Sequence, residues 1–280
     1  MGTSGAYTGA GGKPGRDISS GVGDWINGLG GGPDGGAGGG APVEGAPPSD
    51  RPPTELPPRL IEGLLSLLRP SISFGGSSSG PGAGGGRRGR QTSSRIGAGG
   101  GGGGLRRNTT QVSGSAGRAG AAAYAYATGD RATLQSLGLD YDTLRRLGDF
   151  IEITRRLVEA ACGPLSNGTL EEHEERYVAA SVAEWVLEQT EAGGAPTPEE
   201  IARYSIASVI AEVLATEINR DLQEHPESVA EVAESELFSA AEIVASKAEL
   251  SIEGASPEEL SEAIESGIET LREIYGAGGS

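Results

Sequence analysis

The chain has 280 residues with 22 Lys+Arg, 39 Asp+Glu, two His and a single Cys, a formal net charge of −17. One cysteine excludes an intrachain disulfide and, with two histidines, leaves no metal-ligand spacing; the missing disulfide fits a reducing compartment. No run approaches the roughly 18 apolar residues of a membrane span, and the opening residues lack the basic start and apolar core of a secretory signal, so the reading is cytoplasmic.

The charge is split. Residues 1–120 carry a net +5 and residues 121–280 a net −22. Glycine and proline crowd the first part, which lacks the apolar side chains that offset the entropy of ordering. The chain therefore reads as all-α: a C-terminal helical bundle behind a long disordered Gly/Pro/Arg-rich N-terminal region. The boundaries are a tail over 1–115, an acidic helical domain over 116–276 and a flexible end over 277–280. The acidity suits solubility in a salt-rich cytoplasm or a face for a partner.

In chain order, MGTSGAYTGAGG is uncharged and glycine-rich. Loss of the initiator methionine leaves Gly2, Thr3 and Ser4 as a narrow, amine-bearing end able to thread a confined channel. Myristoylation fits poorly, because Ala6 stands where Ser or Thr belongs. Lys13 precedes proline, and Tyr7 replaces the first glycine of a phosphate-binding loop, so no nucleotide motif is present there. Trp25, in GDWING, is either a docking anchor for a partner or a residue that folds back on the domain.

Residues 59–69 are a helical island within the tail. Leu60, Leu64, Leu67 and Leu68 form one stripe, with prolines before and after. At about eleven residues the helix is marginal alone and needs its leucines covered by the domain or a partner. Residues 63–120 contain no acid, and their arginines include Arg87, Arg88, Arg90, Arg106 and Arg107. They can contact nucleic-acid phosphates without sequence preference, or lie on the chain's own acidic domain.

From residue 116 the pattern turns helical, with helices expected near 116–127 and 130–137. One face through 140–163 carries Leu144, Leu147, Ile151 and Val158 and ends at Gly163-Pro164. Three starts follow at Thr169-x-x-Glu172, Thr197-Pro198-x-Glu200 and Ser256-Pro257-x-Glu259. Their stripes are Val178, Val182, Trp185 and Val186; Ile206, Ile210, Val213 and Leu214; and Leu260, Ile264, Ile268, Leu271 and Tyr275. A further helix between them carries Val229, Val232, Phe238 and Val244. A nucleophile site from Cys162, His173 and Glu172 has only proximity in sequence behind it. The glutamates of 171–175 serve the helix dipole. The reading is non-enzymatic, with no catalytic residue, metal or cofactor.

The layout resembles the QatB family, a component of four-gene bacterial anti-phage systems. The likeness lies in the MGTS start with a Gly/Ser-rich tail and early Trp25, the Arg/Gly-rich middle leading from Arg106 into an Ala-rich helix, and Gly168-Thr169-Leu170-Glu171-Glu172 before an amphipathic helix. The resemblance implies a defence complex in which a QueC-like ATP-dependent enzyme receives the tail, with Gly2 as the reacting residue, and a KAP-type ATPase docks the domain. A plain scaffold for the ATPase and a nucleic-acid-binding protein remain as alternatives.

Overall fold

The computed structural model describes residues 21–22, 25, 55–69, 107–164, 168–222 and 227–276. Nine helices are complete among them. These are α1 (Pro58–Leu67), α2 (Thr109–Thr128), α3 (Arg131–Ser136), α4 (Tyr141–Leu147), α5 (Phe150–Cys162), α6 (Leu170–Ala192), α7 (Pro198–Leu222), α8 (Glu227–Ala245) and α9 (Pro257–Ile274). Two-residue strands β1 (Leu68–Arg69) and β2 (Arg107–Asn108) pair in parallel, Leu68 opposite Arg107. The domain is an all-α bundle.

Its axis is α2. Alanine, glycine and serine dominate this helix, and Ala116, Ala119, Ala121, Ala122 and Ala123 have no exposed surface. Its middle turns are buried on most sides, and small side chains let α5, α6, α7 and α9 approach its backbone. Closest is α9: a Cβ on Gly117 would lie 2.6 Å from the backbone nitrogen of Ser261 and 2.8 Å from its Cα. At Gly120 the same atom would meet Ile201 at 2.7 Å and Val182 at 3.3 Å, so α7 and α6 pack there.

The surrounding helices begin where side chains satisfy orphan N–H groups. Ser256 and Glu259 form a complete capping box at α9. Thr197 and Glu200 exchange equivalent bonds at α7. At α6 the pattern is shifted: Thr169 caps Glu172, whose carboxylate reaches past Thr169 to the N–H of Gly168 at 2.6 Å. Val178, Val182 and Val186 are buried, as are Ile206, Ile210, Val213 and Leu214, and Leu260, Ile264, Ile268 and Leu271. Trp185 is half-buried, stacked on Tyr204 of α7 at 4.4 Å; Tyr204 in turn meets Phe238 of α8 at 5.2 Å. Val244 is buried, and the side chains of Val229 and Val232 lie outside the described residues.

The single face expected through residues 140–163 is two helices. Gly148 takes a left-handed φ of 64° and Asp149 caps a new start by accepting from the N–H of Ile151. The break rotates α5, so Ile151 is 76% exposed while Leu144 and Val158 are buried. The domain also begins earlier than residue 116. Its first long helix starts at Thr109, and α1 belongs to the same core: Leu60, Leu64, Leu65 and Leu68 are at most 1% exposed. Each such leucine contributes about 1.5–3 kcal/mol, which makes a helix this short stable.

Candidate functional site

The sequence-nominated residues fall into three groups. Gly2, Thr3, Ser4, Arg87, Arg88, Arg90 and Arg106 lie outside the described residues. Arg107 is held by its backbone against Leu68. Trp25, Leu60, Leu64, Leu67 and Leu68 are brought into one hydrophobic core.

That last group defines a seam where the N-terminal segment enters the domain. Helix α1 packs on α7 and α9. Its Leu60 also receives Gly21, whose absent Cβ would stand 3.3 Å from that of Leu60. Val22 is fully buried and Trp25 is 3% exposed. Beside the seam, Lys247 bonds Glu55 at 3.3 Å, tying the approach to α1 to the loop after α8. Of the two alternatives left open for each, the described residues show the intramolecular one: Trp25 folds back on its own domain, and the leucines of the island are covered by that domain. The physical reason is the same: the core supplies the apolar cover these side chains need.

A second cluster sits where α2, α5 and α6 meet. Glu175, 6% exposed, accepts from Gln111 at 2.6 Å and from Ser115. Arg118 donates to the carbonyl of Ala161 at 2.6 Å and to Ser115 Oγ at 3.0 Å; Arg176 donates to the carbonyl of Gly163. Two guanidinium groups thus cap the C-terminal end of α5, where the helix dipole is negative. Burial, reinforced by the Glu175 charge, pushes the Cys162 thiol up to about 11, so it is a poor nucleophile at neutral pH. His173 is exposed and Glu172 is committed to its helix cap, leaving the Cys162–His173–Glu172 arrangement without support. The cluster clamps a helix end.

The sequence reading missed Ser115, Arg118 and Glu175. A signal was available for the last. Extending the Val178–Val182 stripe back one turn lands on Glu174 and Glu175, both 6% exposed.

A groove of about 650 Å³ opens between the 249–253 loop and α9, lined by Glu249, Glu253, Glu259 and Glu262. Of these, Glu259 is occupied by the Ser256 cap. Among the described residues no His/Cys/Asp/Glu group could hold a metal ion, and no helix is long and apolar enough to cross a membrane.

Comparison with known proteins finds no matching family model, no matching curated protein and no matching solved structure. The antiviral, anti-phage and QatB-like labels suggested by the layout are therefore withdrawn. The motifs behind them are short, and the Gly168–Glu172 turn is accounted for by local capping.

Proposed function

We propose that this chain is a non-enzymatic adaptor whose helical domain docks protein partners and offers the residues before Gly21 to a partner enzyme. The supporting observation is the burial of Val22 and Trp25, which attaches the N-terminal segment to the bundle at a defined point. Gly2 lies nineteen residues before Gly21, a span of at most about 65 Å. The uncharged, small-residue run from Gly2 to Gly12 suits entry into a narrow site. The partner chemistry proposed is that of an ATP-dependent enzyme that activates a carboxylate and couples it to nitrogen, here the amine of Gly2, while a partner ATPase docks on the bundle.

Co-expression with such an enzyme, followed by intact-mass measurement, tests the reading. A mass change localised to Gly2, abolished by scrambling residues 2–12, is expected. An unaltered terminus that the partner does not bind overturns it. A chain whose complex keeps its activity after residues 2–12 are scrambled serves as a scaffold and tether alone.

A further inference from the structure

Positive charge is concentrated at one place on the bundle. Residues 121–280 hold ten basic residues, and four of them, Arg145, Arg146, Arg155 and Arg156, fall within twelve consecutive positions that span the α4–α5 elbow. All four are exposed. Arg155 and Arg156 are paired with Glu152 and Glu159. Arg145 and Arg146 have no carboxylate in ion-pair range among the described residues; Arg146 donates to the carbonyl of Asp142 at 3.0 Å and to the hydroxyl of Thr143 at 3.1 Å. Between the two arginine pairs stands Ile151, the most exposed large hydrophobic side chain among the described residues. Leu147 and Phe150 near it in sequence are half-buried, so the elbow presents an apolar knob in a basic setting. The same bundle carries a surface of opposite character. The groove between the 249–253 loop and α9 is lined by apolar Leu250, Ile252 and Ala263 and by the carboxylates of Glu249, Glu253 and Glu262. Those three glutamates are exposed and make no hydrogen bond or ion pair among the described residues. Its volume of about 650 Å³ is enough for an apolar side chain with charged neighbours. The elbow packs among α2, α3 and α6, whereas α9 packs on α1, α2, α7 and α8, so the knob of one chain does not fill its own groove.

We propose that the α4–α5 elbow of one copy docks in the α9 groove of a second copy. Ile151 enters the apolar part of the groove, and Arg145 and Arg146 meet Glu249, Glu253 and Glu262. The occupant is a second copy because the charge that the groove calls for is uncompensated at the elbow and engaged elsewhere. Among the described residues Arg131 is paired with Asp142, Arg203 with Glu199, Lys247 with Glu55 and Arg272 with Glu269, while Arg176 donates to the carbonyl of Gly163. Opposite exposed charges steer the encounter and fix its orientation, and the covered isoleucine slows its release. The contact joins two unlike surfaces, so two copies either close on each other reciprocally or leave a knob and a groove free for further copies. This self-association goes beyond the adaptor role proposed above and does not depend on it.

The test is sedimentation velocity on the full chain from about 1 to about 200 µM, the span of weak association. In about 0.1 M salt the weight-average mass is expected to climb above the 28.3 kDa of one chain as concentration rises. In about 1 M salt, where the screening length falls from about 10 Å to about 3 Å, the association should weaken about ten-fold. Ile151→Asp places a carboxylate where apolar contact is needed. It sits in the first turn of α5, where an acid suits the helix dipole, so circular dichroism should be unchanged while self-association is lost. Arg145→Glu with Arg146→Glu, at exposed positions, is a second knob variant with the same expected loss. Glu253→Arg with Glu262→Arg reverses the groove and should also leave a monomer. A knob variant mixed with the groove variant is expected to pair, since one supplies an intact groove and the other an intact knob. A wild type that stays monomeric over the whole range in low salt overturns the proposal. Self-association that survives both knob variants overturns it as well, as does a mixture of folded knob and groove variants that does not pair.

Discussion

Gly117→Ala is a substitution whose sign runs against helix propensity. In an exposed helix interior, alanine for glycine stabilises by about 1 kcal/mol. Here the new methyl would lie 2.6 Å and 2.8 Å from backbone atoms of Ser261, which cannot rotate aside. Helix α9 must withdraw by about 0.8 Å to restore ordinary contact, and a gap of that size forfeits a quarter to a half of each affected packing contact. Leu260, Ile264, Ile268 and Leu271, all buried on α9, share the loss. Overpacking of this kind costs about 1–3 kcal/mol, or more where a whole helix moves. Net of the propensity gain, we expect a loss of about 2 kcal/mol and a fall in Tm of about 4–8 °C for a domain of this size. The control is Gly114→Ala on the same helix. Its Cβ would meet no backbone, only the Nη1 of Arg118 at 3.3 Å, which a shift of a few tenths of an ångström relieves, so stability should stay within about 1 kcal/mol of the wild type. Calorimetric melts of the two variants beside the wild type decide the matter. A Gly117→Ala protein that melts at or above the wild type refutes the close α2–α9 crossing.

Three further expectations follow from the caps and the clamp. The Cys162 thiol, raised from 9.0 to about 11, has about a hundred-fold smaller thiolate fraction than an unperturbed thiol near neutral pH, so its reaction with a disulfide reagent should be slower in proportion and recover on unfolding. Ser256→Ala removes the capping box of α9 and should cost about 1 kcal/mol in urea titrations. Hydrogen bonds from the side chain and backbone of Thr143 hold the Asp140 carboxyl below its usual range. A lowered folded-state pKa means that this carboxylate's stabilising contribution is complete above the unfolded value of about 4 and disappears as pH falls through the lowered folded value. The stability difference between wild type and Asp140→Asn should therefore shrink as pH drops below about 4, followed by urea midpoints; a difference that grows on acidification contradicts the cap.

The helix starts at residues 198 and 257 were legible because their caps are local chemistry, a hydroxyl and a carboxylate three residues apart. The leucine stripe of α1 was legible as periodicity, but its destination was not. Periodicity says that a face needs cover and leaves open whether the cover is the same chain. The start of α2 at Thr109 escaped because its first turn, with Thr110 and Gln111 exposed and Val112 half-buried, carries no apolar stripe; the helix's cue is the density of Ala, Gly and Ser further on. The Gly148-Asp149 break was readable in principle, since glycine followed by aspartate ends one helix and caps the next. Of the seam, Trp25 was singled out from its contrast with the glycine around it. Gly21, which abuts Leu60, carries no signal in a stretch where glycine is common.

The parallel pairing of Leu68 with Arg107 places the two ends of the 70–106 stretch side by side, so the bundle is joined across that point whatever lies between. The pair couples the end of α1 to the start of α2 through the backbone, so a proline at Leu68 or Arg107 should loosen the tie between the two helices.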